Sequence, residues 1–335
     1  MTLQDKSASG LDGVIAAETA LSHVDGVHGE LIVAGARIDT LAFSVSFEEL
    51  AARLWSLADG QPRDPAAVAR LFGDARQRTF SHLPRLLAAA RDLPVAAGLR
   101  AAIAALGPEP DLPPEIVLSA AMPVITAALL RVQANQPPIP PDSTRTHAAD
   151  LLCMLRGSPA TPSEVRALQA YLVTVCDHGM NASTFAGRVI ASTGADLFMA
   201  VTGAYCALTG PLHGGAPEPV LAMLNAIATA ERIAPWIDGA LSRGERLMGF
   251  GHRVYRVRDP RADVLKDAIQ GLGRADLGFA AQVEAYARAA LAQRHPQRPL
   301  DTNVEFYTAI LLDTLQIPRH AFTGLFACAR TVGWT

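Results

Sequence analysis

Helix-start signals followed by apolar residues at three- and four-residue intervals recur along the chain, and this pattern constrains the fold more than any other feature. Thr161-Pro162-Ser163-Glu164 supplies an N-cap, a proline at the first helical position and a capping-box glutamate. Val165, Leu168, Leu172 and Val175 then share one face. Ser46 to Glu49 repeats the box ahead of Leu50, Leu54 and Trp55. Asp64-Pro65 opens a further short helix, and residues 263–272 and 277–291 read as two more, the second rich in closely packing alanines. Only residues 31–38, with Gly35 in their middle, have the character of a small hairpin. The pattern predicts an all-α protein.

Composition narrows the functional classes. Half of the 335 residues are apolar and 18% are charged, a globular composition with length enough for a large core. With 29 Lys and Arg against 32 Asp and Glu, the formal charge of −3 argues against a protein built on neutralising phosphate backbones. No run approaches the roughly 20 uninterrupted apolar residues of a membrane helix. The first dozen residues, MTLQDKSASGLD, lack the basic start and apolar core of a signal peptide, so a cytoplasmic location is expected. Cys153, Cys176, Cys206 and Cys328 are far apart and form no CxxC pair, which predicts reduced, buried thiols and no zinc site.

There is no fixed-period repeat and no low-complexity tract. Gly and Pro punctuation falls at 136–141, 210–215, 249–251 and 296–299, none of it long enough for a disordered linker. A Gly-rich turn near 214 and a Pro-containing loop near 299 suggest a smaller helical domain, residues 215–317, inserted in a larger one made of 1–214 and 318–335.

Three of the nine histidines sit among glycines, which let the backbone approach a ligand and expose a neighbouring imidazole. His178 follows an apolar helix in Cys176-Asp177-His178-Gly179-Met180-Asn181, His213 lies in a Gly-rich turn, and His252 follows Gly249-Phe250-Gly251. Taken singly, each also fits a helix cap or a satisfied core histidine; their joint occurrence in turns favours a site. Four arginines then fall in nine residues, Arg253, Arg256, Arg258 and Arg261, and guanidinium groups recognise carboxylates and phosphates bidentately. A solvated basic face paired with Asp259 and Asp263 accounts for Arg253 and Arg258. Arg256 and Arg261 stay open to a small dianionic acid or a phosphorylated cofactor. A P-loop, HExxH, GxGxxG and the GxSxG nucleophile elbow are all missing from the sequence, which removes serine hydrolase chemistry.

The segment 249–261, Gly-Phe-Gly-His-Arg-Val-Tyr-Arg-Val-Arg-Asp-Pro-Arg, resembles the signature of the citrate synthase family. It is joined in order by Asp177-His178-Gly179-Met180-Asn181-Ala182-Ser183-Thr184, by Gly210-Pro211-Leu212-His213-Gly214-Gly215-Ala216 and by Asn303-Val304-Glu305-Phe306-Tyr307. The resemblance runs from about Leu11 to the end of the chain. It implies a helical homodimer, each subunit with a large and a small domain that close over oxaloacetate and then an acyl-CoA. Acyl-CoA enters as a substrate, and no metal, nucleic acid or membrane is implied. The reaction would be a Claisen condensation followed by thioester hydrolysis.

By motif position, Glu305 would be the base, His213 the neutral donor to the thioester carbonyl, and His252 the donor to the ketone oxygen of oxaloacetate. His178, Arg261 and Arg330 match oxaloacetate-binding positions. Arg256, Arg131 and the backbone of Leu247, Met248, Gly249, Phe250 and Gly251 match the CoA side. A carboxylate facing a neutral imidazole in a dry site can form and hold an enolate that neither could in water.

Three departures from the family pattern bear on these expectations. The family base is usually aspartate, and Glu305 is one methylene longer. The intact motif around it leads us to expect a compensating backbone, with Glu305 preferred over Asp301 as the base. The chain stops at Thr335, soon after Arg330, where relatives continue with a segment donating an arginine to the partner's site; no residue here takes that role. Near the N-terminus, residues 33–38 replace the usual Arg-Gly-Tyr-Asp-Ile-type stretch. Three readings follow: citrate synthase using acetyl-CoA, 2-methylcitrate synthase using propionyl-CoA, and a non-catalytic paralogue binding CoA or a dicarboxylate. One methylene in an apolar pocket is worth only about 1–3 kcal/mol, so the motifs do not separate the first two.

Overall fold

The computed structural model describes residues 17–210, 213, 217–273, 277–297 and 300–335. Expectations resting on the first dozen residues, on Pro211, Leu212 and Gly214 to Ala216, and on Pro299 lie outside the described residues.

A three-stranded antiparallel sheet (β1, Ser22–Asp25; β2, Glu30–Val33; β3, Ala36–Arg37) precedes α1 (Ile38–Ser44), α2 (Phe47–Asp59), α3 (Pro65–Ser81), α4 (Leu83–Leu87), α5 (Val95–Ala104) and α6 (Pro114–Gln133). Then come α7 (His147–Arg156), α8 (Pro162–Val175), α9 (Ala182–Ala191), α10 (Leu197–Leu208), α11 (Pro217–Ile227) and α12 (Ile233–Ser242). The order closes with α13 (Pro260–Gln270), α14 (Gly278–Arg294), α15 (Val304–Thr314) and α16 (Phe322–Trp334). The protein is all-α.

Local chemistry sets the helix starts. Thr161 Oγ1 accepts the Glu164 amide (3.3 Å) while Glu164 Oε2 accepts the Thr161 amide (2.8 Å), the reciprocal box expected for α8. Ser46 Oγ accepts the Glu49 amide at 3.0 Å to open α2. The short helix expected after Asp64 is instead the 17-residue α3, because Val68, Phe72, Ala75 and Thr79 continue its buried stripe. The hairpin at 31–38 is β2 and β3 with a two-residue turn in which Ala34 and Gly35 both have positive φ, and β1 extends it to a sheet.

At the centre lies α6, buried continuously from Ile116 to Leu130 and packed among α3, α5, α7, α10 and α16. This corrects one expectation: α6 has 20 residues and is apolar enough, by length and composition alone, to cross a membrane. It is instead the core helix, most of its surface covered by other helices. The thiol expectation is corrected as well: all four cysteines are free, but only Cys176 and Cys328 are buried, while Cys206 is exposed. Beside α6, α16 crosses the end of α8 so closely that a Cβ on Gly333 would stand 2.3 Å from the Cys176 carbonyl oxygen.

Beneath α2, α3 and α7, Arg76 is fully buried, its Nε donating to Asp150 (2.7 Å) and its Nη2 to the Arg145 carbonyl (2.8 Å). His147 is also fully buried there, its ring 5.0 Å from that of Phe47 and 5.1 Å from that of Phe72, and neither ring nitrogen has a hydrogen-bond partner.

Candidate active site

One wall of the site is built where α8 ends. Asp177 Oδ2 accepts the Ser22 hydroxyl (2.5 Å) and the Gly179 amide (3.2 Å), which fixes the turn carrying half-buried His178. Asn181 then caps α9, its Oδ1 accepting the Ser183 and Thr184 amides, each at 3.1 Å. Ser183 Oγ lies 3.0 Å from Nε2 of His213. From α16, Arg330 reaches in fully buried, its Nε donating to the Val175 carbonyl (2.9 Å) and its guanidinium 4.7 Å above the Phe326 ring. Both of its terminal nitrogens, Nη1 and Nη2, are buried without a hydrogen-bond partner among the described residues.

The opposite wall pairs the 249–251 turn with the start of α15. The Gly251 amide donates to the Asp301 carbonyl (2.7 Å), the Asn303 amide to the Gly249 carbonyl (2.9 Å), and Asn303 Nδ2 to the Gly251 carbonyl (2.8 Å). A Cβ on Gly249, which has φ +84, would stand 2.9 Å from Phe306, so only glycine permits this approach. His252 follows, and its Nδ1 accepts the Val254 and Tyr255 amides at 3.0 and 3.1 Å. A neutral ring accepting at Nδ1 carries its proton on Nε2. That Nε2 lies 3.4 Å from Nη2 of buried Arg261, so two donors stand side by side facing the place an acceptor oxygen would take. Asp259 binds Arg261 Nη2 (2.7 Å) and Nε (2.9 Å), caps α13, and accepts the Val304 amide (3.1 Å) at the head of α15. Glu305 is the next residue, half-buried, its amide held by Asn303 Oδ1 at 3.0 Å.

Electrostatics tie the two walls together. Burial lifts the Glu305 carboxyl to about 7, against the pull of Arg261 and Arg330. Burial, then Arg261, lowers His252 to about 4. His178 and His213 are also held below the ordinary histidine range, first by burial and then by Arg330. Arg330 itself falls to about 10 through burial, opposed by Asp177. Burial also disfavours the charge of Arg261, yet Asp259 more than offsets it. Near neutral pH the cluster thus holds neutral imidazoles, two cationic arginines and a carboxyl poised to exchange a proton, the inventory required for enolate chemistry on a dianion.

Of the sequence-predicted residues, His178, His213, His252, Arg261, Arg330 and Glu305 fall in this cluster. Arg256 lies on its edge, exposed and with no side-chain partner among the described residues. Leu247 and Phe250 bury their side chains, and the backbone groups of Gly249 and Gly251 are engaged with 301–303. Arg131 is not brought to this cluster: at the end of α6, its guanidinium donates to the Pro137 (2.7 Å) and Leu155 (3.4 Å) carbonyls. Arg253 is exposed, as the solvated reading anticipates, whereas Arg258 is mostly covered: it pairs with Asp263 (2.7 Å), as expected, but also with buried Glu284. Asp259, however, belongs to Arg261, and Asp301 is held by Arg288 at 2.7 Å. Sequence reasoning missed Ser183 as the partner of His213 and Asn303 as the brace of Glu305. An N-cap reading of Asn303 ahead of the apolar run would have found the second. Among the described residues, no group of three or more His, Cys, Asp or Glu could hold a metal ion.

Fold and site together define an all-α protein with two buried arginines set beside three histidines held neutral. The family model described as citrate synthase, C-terminal domain, matches residues 10–335. The citrate synthase of Haloferax volcanii is 36% identical, over 97% of this chain and 89% of its own. Among solved structures, the citrate synthase of Thermotoga maritima superposes with a TM-score of 0.84 at 31% identity, covering 97% of this chain and 89% of that one. The citrate synthase of Thermoplasma acidophilum, solved as a ternary complex with carboxymethyl-coenzyme A and oxaloacetate, gives 0.84 at 26% identity, covering 97% and 90%. The chain belongs to the citrate synthase family. It is an enzyme of the citrate synthase type, a condensing acyltransferase.

Proposed function

We propose that the chain condenses acetyl-CoA with oxaloacetate and hydrolyses the resulting thioester to citrate and CoA. The observation that carries this reading is Arg330, a buried guanidinium whose two outer nitrogens have no hydrogen-bond partner among the described residues. A buried cation of that kind is costly unless an anion completes it, and a substrate carboxylate is such an anion. Arg330 and Arg261 hold the two carboxylates of oxaloacetate, with His178 beside them. His252 Nε2–H and Arg261 converge on the ketone oxygen.

Glu305 takes a proton from the carbon next to the thioester carbonyl while His213 donates a hydrogen bond to the carbonyl oxygen. The resulting enolate carbon bonds to the ketone carbon, and the ketone oxygen takes the proton from His252 Nε2. Water then cleaves the thioester. Arg256, exposed beside the 249–251 turn, takes a phosphate of CoA. The enolate site must exclude water, so residues 215–317 close as a small domain on 1–214 and 318–335 when oxaloacetate binds. The family expectation of a homodimer is supported by α9 and α10, whose apolar side chains Val189 and Met199 are 47% and 59% exposed.

A thiol-release assay with oxaloacetate and either acetyl-CoA or propionyl-CoA tests the reading, with acetyl-CoA the faster substrate. Faster turnover of propionyl-CoA would make it a 2-methylcitrate synthase. Oxaloacetate binding without thiol release from either thioester would sink the enzymatic reading in favour of a dicarboxylate-binding protein.

A further inference from the structure

The loop from Gly251 to Asp259 carries His252 and Arg256 but has no helix or strand of its own, so something outside it must hold its shape. That something is the turn between β1 and β2, more than two hundred residues earlier in the chain. The Gly26 carbonyl accepts the Arg256 amide at 2.7 Å. The Gly26 Cα faces the other side of the same stretch: a Cβ built there would lie 2.3 Å from the Val254 carbonyl oxygen and 2.8 Å from its carbon. Gly29, with φ +69, also approaches this loop, its Cβ falling 2.8 Å from a Val257 methyl. The turn is itself braced, since Asp25 Oδ1 accepts the Val27 and His28 amides, each at 2.9 Å.

The peptide unit beneath Gly26 has a second duty. The Val254 carbonyl and the Tyr255 N–H belong to one rigid plane, and that N–H donates to His252 Nδ1 at 3.1 Å. The Tyr255 ring lies 4.8 Å from the imidazole and adds to its seat. Tilting the plane to admit a methyl group at position 26 would withdraw the Tyr255 donor and leave the Val254 amide as the single hold on Nδ1, loosening the ring. From these contacts we infer that Gly26 is a positioning residue for His252, acting through the Val254–Tyr255 peptide to fix the Nε2–H tautomer and its aim. The proposal rests on the reading of His252 given above, and its chemistry is that of a backbone clamp with no side chain of its own.

The test compares Gly26→Ala with Gly107→Ala, whose new methyl meets nothing within 4 Å, and with His252→Ala. Thiol release is measured alongside 15N-histidine NMR, which reports which ring nitrogen of His252 is protonated. The clamp predicts that Gly26→Ala lowers kcat by at least about tenfold, toward the hundredfold that a ~1 Å misplacement costs. It also predicts a mixed-tautomer signal for His252 and a melting temperature close to that of Gly107→Ala. Turnover and NMR signature equal to those of Gly107→Ala would overturn it. If Gly26→Ala does not fold, amide exchange in the unmodified protein decides: the Arg256 amide must be protected, and fast exchange there overturns the clamp. Activity surviving in His252→Ala would defeat the reading of His252 itself, whereas an inactive His252→Ala beside a normal Gly26→Ala defeats only the clamp.

Discussion

The protein buries two arginine clusters, and they differ in how completely the guanidinium is matched. Under α2, α3 and α7, Arg76 meets the Asp150 carboxylate and two backbone carbonyls. Among the described residues, Arg330 on α16 meets a single carbonyl, and its two outer nitrogens are buried with no hydrogen-bond partner. The first cluster has a carboxylate partner for its guanidinium and ties the 142–146 loop to the core, although Arg76 Nη1 and both ring nitrogens of His147 find no hydrogen-bond partner among the described residues. The second is short of an acceptor, and it lies among three neutral imidazoles and a proton-accepting carboxyl. The difference teaches that neither buried charge nor an unmet buried nitrogen marks a site by itself; what sets Arg330 apart is a guanidinium with no carboxylate paired to it among the described residues.

This contrast predicts that changes at the open cluster cost activity, whereas those at the closed cluster change stability and leave activity alone. Glu305→Gln should lower citrate formation by about 10²–10⁴-fold, the usual contribution of a positioned base, while calorimetric oxaloacetate binding persists. Unchanged turnover would remove Glu305 from the chemistry. At the closed cluster, Asp150→Ala should cost about 3–5 kcal/mol in chemical denaturation, because it strands a buried guanidinium, with kcat per folded molecule unaltered. For Arg330→Met the balance should reverse: the KM for oxaloacetate rises by about tenfold or more, the loss of a charge-assisted bond, while the melting temperature holds or rises.

The pH response should divide the same way. With the Glu305 carboxyl raised to about 7, thiol release should climb as pH rises through that value and level off above it. A rising limb near 4 would show that the base is not held as described. His147 is kept neutral by burial and then by Arg76, so its folded pKa lies below the unfolded value. Its contribution to stability is therefore lost as pH falls through about 6.5, where the unfolded chain gains the proton. His147→Phe should flatten that acid slope and stabilise the fold by about 1 kcal/mol, since it removes two partnerless ring nitrogens between aromatic rings.

Much of this was legible in the sequence because helix boundaries obey local rules. Thr161, Ser46 and Pro65 announce their helices from side chains that act within three residues of themselves. The site motifs were equally visible, since glycines and histidines occur together at 178, 213 and 252. What escaped were relations between distant segments: Gly26 against Val254, Ser22 against Asp177, and the bond from Asp259 to the head of α15. No local pattern encodes these, because each depends on how whole helices stack. For the same reason Arg131, plausible by position, turned out to face carbonyls of its own neighbourhood.

Asp259 reaches the Arg261 side chain, the first turn of α13 and the leading amide of α15. A single carboxylate thereby makes one rigid jaw of the pieces that bear His252 and Glu305. If the proposed closure occurs, the jaw would swing as a body, and the spacing between His252 and Glu305 would be kept whether the mouth stands open or shut.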